Sequence, residues 1–403
     1  MPDALVPRRD AVVWAGCFFV VASLLVAFQF TSSDGDSDLY AGLSHRLAAE
    51  PLSRWVAPEW WGFWPEAEMT GLFREHPAGA LIVPAALVRL GVPGPQAAYV
   101  VGIGAGLTAL LLIGWLLSRL VSRDNARAAL VLLQLMPVAF LFRIRANHEY
   151  LMLVGLLVAL VGLEKVRQSW WAVALVAAGM AGALLVKGVF VVLTIAGAVL
   201  WVVIIPAGGP RTRTRLVVAV LAGVLATVVV GTAYEFWFRA VTGEAYWVPY
   251  WQRQLGQVEV ASPVGGGLAS LAWNVFFYLN RLAWQAAPWS LAIIASMWTT
   301  RGAWLSGWQA LPDSERRGLL FALTYGVLLV VVLSPSSRVA ERYIFSGTYA
   351  VAAAGTIVAL RIWPRIAAWC REIDQRVPAA PALVWLALMI ARLAIGPWMP
   401  RIS

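Results

Sequence analysis

Long uninterrupted runs of apolar residues dominate the chain, and they restrict its fold more than any motif does. Hydrophobic side chains make up 61% of the 403 residues. The runs are about 17 to 22 residues long, which is the length that crosses a bilayer as an α-helix. Strands of a membrane β-barrel would instead alternate apolar and polar positions. The sequence therefore predicts an all-α polytopic membrane protein.

Clusters of basic residues lie in the short connections between these runs and predict the orientation of the chain. Arg8 and Arg9 precede the first apolar run, and the positive-inside rule assigns such clusters to the cytoplasm. We therefore expect a multi-pass protein of the cell inner (cytoplasmic) membrane with a cytoplasmic N-terminus. About eleven spans result, at residues 11–30, 96–118, 126–142, 150–164, 170–187, 189–205, 216–237, 283–299, 318–333, 343–360 and 381–397.

This topology makes residues 1–403 one integral membrane domain with two long outer segments. Residues 31–95 form the first outer loop. Residues 77–90 within it are apolar but too short to span, which predicts a re-entrant or juxtamembrane helix. Residues 238–282 form an expected substrate loop, because long loops between membrane helices usually bind or gate something. The aromatic residues at 246–251 are typical of a headgroup belt, with sugar or lipid contact as the alternative.

The net charge and the cysteines exclude other classes of protein. The formal charge is +10, but the arginines are scattered through connections and not gathered on one face, so no nucleic-acid partner is expected. Only Cys17 and Cys370 are present, which leaves neither a disulfide framework nor a cysteine zinc site. The membrane is therefore the partner that the composition indicates.

Acidic residues follow the first span at its outer end, in Ser33-Asp34-Gly35-Asp36-Ser37-Asp38-Leu39-Tyr40. A carboxylate in this position is suited to act as a general base on a hydroxyl. Asp36 and Asp38 together are also an alternative pair of ligands for a divalent cation. The third interpretation is a solvated turn, since Ser, Gly and Asp are common in loops.

Four further polar groups occur at the outer ends of other predicted spans. They are Arg74-Glu75-His76-Pro77, Arg143-Ile144-Arg145-Ala146-Asn147-His148-Glu149-Tyr150, Lys187-Gly188, and Arg338 with Glu341-Arg342-Tyr343. Ionisable residues at membrane depth are costly and usually mark a site. The structural alternatives are helix starts and caps for the first two groups, a lysine that reaches the outer interface for the third, and headgroup anchoring for the last.

In their order and spacing, the five groups resemble the motifs of the GT-C superfamily of polyprenyl-phosphate-sugar glycosyltransferases, in the branch of protein O-mannosyltransferases and lipid A aminoarabinose transferases. The Asp-Glu-x-x-Tyr-Ala motif of that family is similar to Asp36-Ser-Asp-Leu-Tyr40-Ala41. Its Lys/His-Pro-Pro motif is similar to His76-Pro77-Ala78. Its Arg-Tyr entry into a late span is similar to Arg342-Tyr343, where Ser346 departs from the usual proline. The remaining family positions are matched by Glu149 and by the pair Lys187-Gly188.

The resemblance implies an inverting glycosyltransferase of the GT-C fold, acting at the outer, periplasmic face and moving a hexosyl or pentosyl group. The implied donor is a sugar on a polyprenyl phosphate, and the acceptor is a hydroxyl of a lipid, glycolipid or glycan. Asp36 is the implied general base, with Glu149 and Asp38 as further catalytic residues. The residues expected to bind the donor phosphate are Lys187, Arg145, Arg342, His76 and Arg338. Those expected to bind substrate are Tyr40, His148, Asn147 and Tyr343. No cofactor is expected to be required, with a divalent cation at Asp36 and Asp38 as the alternative.

A polytopic lipid or small-molecule transporter is one alternative, and a non-catalytic member of the same fold is another. Transporters place ionisable residues near the middle of the membrane. Here the charged groups lie at the outer ends of predicted spans, and Lys187 is the borderline residue. The distribution of charge therefore favours an enzyme that acts at the outer face.

Overall fold

A computed structural model describes residues 8–31, 35–60, 71–256, 267–300, 308–336, 339–377 and 379–395. Almost all of this part of the chain is helical, as the apolar runs predict. The one β-type pairing among the described residues is an isolated bridge between Glu59 and Leu72. The α-helices are α1 Arg8–Phe28, α2 Gly35–Ala49, α3 Gly79–Arg89, α4 Gly94–Leu120, α5 Arg123–Leu133, α6 Pro137–Phe142, α7 Glu149–Val166, α8 Val173–Lys187, α9 Val191–Ile204, α10 Pro210–Thr242, α11 Trp247–Gly256, α12 Leu268–Gln285, α13 Trp289–Thr300, α14 Asp313–Leu333, α15 Phe345–Ile362, α16 Pro364–Arg376 and α17 Ala380–Ile395.

Each predicted span coincides with one or more of these helices, but the predicted number of about eleven spans is not confirmed. By length and composition, six apolar stretches among the described residues are able to cross a membrane, or seven if α16 and α17 form one bent span. One of the six is Trp170–Ile204, which contains both α8 and α9. Its two ends lie together, because Arg167 contacts the carbonyl of Pro206 and Trp201 Nε1 donates to Glu164 Oε1 at 2.9 Å. The chain therefore reverses between α8 and α9, as the two predicted spans require.

Close packing of α7 against α8 brings the start of α7 and the end of α8 together. Small residues make this approach feasible. A Cβ added to Gly179 would lie 2.5 Å from the carbonyl oxygen of Gly155, and one added to Gly155 would lie 3.1 Å from Cβ of Ala183. Because α7 begins at Glu149 and α8 ends at Lys187, this packing sets a carboxylate beside an ammonium group.

The described part of residues 31–95, the first outer segment predicted from the sequence, contains the two short helices α2 and α3. Trp55 and Trp60 are buried there in a local apolar cluster, and are not displayed to a headgroup layer. Tyr234 on α10 fastens this segment to the bundle, since its hydroxyl accepts from Ala78 N at 3.0 Å and donates to Val56 O at 2.9 Å. The start of α3 and the backbone at Val56 are thereby held against the bundle.

Residues 238–282, assigned from the sequence to an outer substrate loop, include much regular structure. They hold the end of α10, all of α11 and most of α12. Arg253 on α11 pairs with Glu75 at 2.6 Å, and Gln254 Nε2 donates to the Glu75 carbonyl at 3.0 Å. Helix α11 therefore lies against the first outer segment.

Candidate active site

A buried ion pair joins two of the residues singled out in the sequence. Lys187 Nζ lies 3.0 Å from Glu149 Oε1, and the whole residues are only 4% and 3% exposed. Glu149 Oε2 has no hydrogen-bond partner among the described residues. The interpretation of Lys187 as a side chain that reaches the outer interface is wrong, because the ammonium group turns inward to a carboxylate. A buried pair of this kind is costly to assemble, which favours a functional role.

Gly188 turns the chain directly after Lys187 in a way that requires glycine. Its φ is +56°, a left-handed conformation that L-residues with a Cβ rarely adopt. A Cβ there would also lie 2.2 Å from the hydroxyl oxygen of Tyr250. That hydroxyl accepts from Val189 N at 2.8 Å and donates to Lys187 O at 3.3 Å. Tyr250, which is fully buried, thus holds the backbone on both sides of the turn.

A second ion pair joins Asp36 at the start of α2 to Arg342. Arg342 lies in the short 3₁₀ helix Glu341–Ile344, just before α15. Both side chains are partly exposed, at 35% and 26%. The candidate base and a candidate phosphate ligand therefore contact each other at an accessible position.

Lys187 and Arg342, the two cationic side chains of these ion pairs, both line a cavity of about 370 Å³. Its polar lining includes Glu149, Lys187, Arg342, Tyr343 and Ser346. Lys187 Nζ also lies 5.1 Å from the ring centroid of Phe190 and 5.3 Å from that of Tyr343. Two cations in a partly enclosed space are suited to bind an anion such as a phosphate group.

A larger apolar cavity of about 730 Å³ adjoins this one. The two share Leu156, Tyr325 and Ser346 in their linings. Leucine, alanine and aromatic side chains of α4, α7, α14 and α15 line most of the larger cavity. The charged cavity therefore lies next to a space suited to an apolar chain.

Asp38 has a different environment from Asp36. Its Oδ1 accepts from the hydroxyl of the buried Tyr99 at 3.1 Å. Between the two aspartates, Ser37 Oγ accepts from Ala146 N at 3.1 Å, which joins α2 to the connection before α7. Among the described residues, no three His, Cys, Asp or Glu side chains converge in a way that would hold a metal ion.

The predicted substrate-binding residues Tyr40, Asn147 and His148 line a separate small cavity of about 270 Å³. His148 packs at 4.2 Å from Tyr40 and 4.6 Å from His76, measured between ring centroids. Burial, with a smaller contribution from the charge of Lys187, lowers the pKa of His148 well below its ordinary value of 6.5. His148 is therefore a neutral imidazole packed among aromatic rings, which suits it to hold its neighbours Tyr40 and His76 in position.

The remaining predicted residues are dispersed. Arg145 lies 4.5 Å from the ring centroid of Phe142 and is not among the residues that line the charged cavity. Arg338, predicted to bind the donor phosphate, and Asp34 of the aspartate motif lie outside the described residues. The structure thus groups Asp36, Glu149, Lys187, Arg342 and Tyr343 most closely.

Several residues of the site were not identified from the sequence. Tyr99 and Tyr250 are the clearest, since one holds Asp38 and the other holds the Lys187-Gly188 turn. Each is a tyrosine in an aromatic or apolar context with no motif around it. Tyr250 lies in the aromatic stretch 246–251, where Tyr246 and Tyr250 are buried and Trp251 is 41% exposed. Ser37 was visible only as a member of the aspartate motif.

This arrangement of helices, with the charged cavity near the start of α7, is shared with solved structures of the GT-C fold. The solved structures that it matches include ArnT from Cupriavidus metallidurans bound to undecaprenyl phosphate, with a TM-score of 0.68 and 16% identity over 96% of this chain and 76% of that chain. The same enzyme in the apo state gives a TM-score of 0.65.

More distant matches have the same fold. The oligosaccharyltransferase AglB from Archaeoglobus fulgidus, in complex with an inhibitory peptide and a dolichol-phosphate, matches with a TM-score of 0.52 and 12% identity, over 96% of this chain and 54% of that chain. No protein-family model matches the sequence, and no curated protein matches it. At these identities the comparisons establish the fold.

Proposed function

We propose that this protein is an inverting membrane glycosyltransferase that moves a sugar from a polyprenyl-phosphate carrier to a hydroxyl of a lipid, glycolipid or glycan. The observation that carries the proposal is the cavity in which Lys187 and Arg342 are held beside the carboxylates of Glu149 and Asp36. The solved proteins of similar fold, named above, are described with undecaprenyl phosphate and dolichol-phosphate. The adjoining apolar cavity supports a donor of the same lipid class.

The cations have a defined task in this reaction. A sugar phosphate already carries an anionic leaving group, so its departure requires positive charge more than it requires an acid. Lys187 and Arg342 line one cavity and supply that charge close to the phosphate oxygens. Fixed charges in a site with little water are often the largest contribution to catalysis. The proposal therefore assigns the donor phosphate to these two residues.

The proposed chemistry needs one base. Asp36 takes the proton of the acceptor hydroxyl as the oxygen attacks the anomeric carbon. The new carbon–oxygen bond forms opposite the phosphate, the bond from the anomeric carbon to the phosphate oxygen breaks, and the electron pair leaves with the polyprenyl phosphate. The configuration at the anomeric carbon is inverted as a result. Arg342 contacts Asp36. If Arg342 bound the donor phosphate in place of Asp36, the carboxylate would be released to act as base.

Glu149 and Asp38 are assigned orienting roles in this proposal. Glu149 holds Lys187 through one oxygen, and its second oxygen is buried without a partner among the described residues. That oxygen is suited to accept a hydrogen bond from a sugar hydroxyl. Asp38 is held by Tyr99 and lies two residues from the base. The preferred mechanism needs no cofactor, and a divalent cation at Asp36 and Asp38 is the alternative.

Two measurements test the proposed function. The first is mass analysis of the envelope glycolipids and glycans of a deletion strain, in which a species should lose a mass equal to one sugar. The second is binding of undecaprenyl phosphate to the purified protein, which should be weakened in a Lys187→Met/Glu149→Gln double variant. An unchanged envelope together with unchanged binding would contradict the proposal. Movement of a lipid across vesicles without sugar transfer would favour the transporter.

A further inference from the structure

A buried arginine on α17 has hydrogen-bond donors that the protein does not use. Arg392 is 5% exposed, and its Nε and Nη1 atoms have no hydrogen-bond partner among the described residues. None of those residues forms an ion pair with it. A buried guanidinium group without an anion is among the most costly arrangements in a protein. Its presence in an apolar helix therefore points to an anionic ligand.

Arg145 adds a second positive charge to the same place. Helix α17, which carries Arg392, packs against α6, and Arg145 lies in the connection directly after α6. Arg145 is partly exposed and lies over the ring of Phe142. It therefore provides a route to solvent or lipid that the enclosed Arg392 does not provide by itself. Two guanidinium groups on neighbouring elements match the oxygens of a phosphate more closely than those of any neutral ligand.

Arg143, another buried arginine, also has Nε and Nη1 atoms without a hydrogen-bond partner among the described residues. It differs from Arg392 in one respect, because its Nη2 atom donates to Gln134 O at 3.4 Å. In the part of the chain that the structure describes, Arg392 has no such bond.

The surface around Arg392 favours a phosphate that carries apolar chains. Ile390 and Ile395 on the same helix are 40% and 48% exposed, and α1, which packs against α17, exposes Phe19 at 72%. These side chains face the surroundings of the bundle, where acyl chains are the expected neighbours in a membrane. We propose that Arg392 and Arg145 bind the phosphate of a lipid headgroup at a site separate from the Lys187 cavity.

The proposal does not depend on glycosyl transfer, because neither arginine lines the charged cavity. The two sites are nevertheless connected by the backbone. Arg145 precedes Ala146, whose N–H donates to Ser37 Oγ, next to Asp36.

Native mass spectrometry of the full-length protein in detergent tests this site with four probes at equal concentration. These are dioleoyl phosphatidylglycerol, undecaprenyl phosphate, inorganic phosphate and the uncharged dioleoylglycerol. Arg392→Gln should weaken phosphatidylglycerol binding about tenfold, because at least one charge-assisted hydrogen bond is lost. Arg376→Gln on α16, an exposed arginine paired with Glu372, is the matched control and should bind as the wild type does.

The outcomes separate the sources of the phosphate and the two sites. If inorganic phosphate displaces phosphatidylglycerol, the site recognises the phosphate group alone. If inorganic phosphate does not displace it, the site recognises the whole lipid. Lys187→Met/Glu149→Gln should leave phosphatidylglycerol binding unchanged, even if the proposed function is wrong. If Arg392→Gln does not fold, Arg392→Lys, which keeps the charge and loses the planar fork, should bind several-fold more weakly. Equal binding by the wild type and the folded Arg392 variants, or wild-type binding of dioleoylglycerol equal to that of phosphatidylglycerol, would overturn the proposal.

Discussion

Lys187 Nζ lies 3.0 Å from Glu149 Oε1 in a site that is almost closed to solvent. The two residues come from opposite ends of antiparallel neighbours, since α7 begins at one and α8 ends at the other. Their contact depends on the small residues that let these helices approach. Burial of this pair costs free energy of folding, and its ammonium group is suited to bind phosphate.

Removal of Lys187 alone should destabilise the protein strongly. Lys187→Met leaves the Glu149 carboxylate buried and unpaired, which should lower the free energy of unfolding by about 3 to 5 kcal/mol. Adding Glu149→Gln should recover most of that loss, because the buried charge is then gone. Thermal unfolding in detergent measures both variants. Arg376→Met, which breaks an exposed pair, is the control. If Lys187→Met lowered the free energy of unfolding no more than Arg376→Met does, a buried ion pair between Lys187 and Glu149 would be contradicted.

Tyr250 should affect donor binding through the turn that it holds. Tyr250→Phe removes the hydroxyl that contacts Lys187 O and Val189 N, so the affinity for undecaprenyl phosphate should fall by about tenfold, the loss of roughly 1.4 kcal/mol. Tyr246→Phe is the matched control. Tyr246 is equally buried, and its hydroxyl has no hydrogen-bond partner among the described residues. Equal affinities for the two variants would remove Tyr250 as a positioning residue.

His148 should make the protein less stable in mild acid. Its pKa is lowered in the folded state, first by burial and then by Lys187, so the unfolded chain binds the proton more readily. Its stabilising contribution is complete above about pH 6.5 and is lost as the pH falls, by at most about 1.4 kcal/mol per pH unit.

The surroundings of His148 define the control for this prediction. The ring faces Tyr40, His76 and the charge of Lys187. His148→Gln should flatten the fall in melting temperature between pH 7 and pH 5, measured in detergent. An unchanged pH profile in the variant would assign the acid sensitivity to another group.

Chelation tests the alternative cation site at Asp36 and Asp38. Asp36 contacts Arg342 and Asp38 accepts from Tyr99, so each carboxylate already has a partner of its own. Sugar transfer by membranes that contain the protein should therefore persist after treatment with EDTA. Loss of transfer that returns when Mg²⁺ or Mn²⁺ is added would favour the cation mechanism.

The sequence predicted the helical membrane architecture and most of the charged residues, because long apolar runs and charges at their ends are local signals. It did not predict how the charges pair. That Lys187 turns inward to Glu149 depends on the packing of Gly155 against Gly179, and this cannot be read from either residue's neighbours. The roles of Tyr99 and Tyr250 also depend on contacts 61 and 63 residues away in the chain.

The number of spans shows a second limit of sequence analysis. The apolar residues 126–142, predicted as one span, are divided between α5 and α6. Pro137 begins α6, where its missing N–H costs little, but it cannot continue α5. Residues 268–282, assigned to a loop, belong to the amphipathic helix α12. Its mixture of aromatic and polar residues resembles a loop in a hydropathy profile.

The most direct test of the account is the activity of Asp36→Asn. The deletion strain should be complemented with the wild type and with this variant, at equal amounts of folded protein in the membrane, and its glycolipids and glycans should be analysed by mass spectrometry. The wild type should restore the missing sugar, and Asp36→Asn should restore less than about 1% of it, because an amide cannot take the proton of the acceptor. Restoration by Asp36→Asn of more than about a tenth of the wild-type level would contradict the assignment of Asp36 as the base.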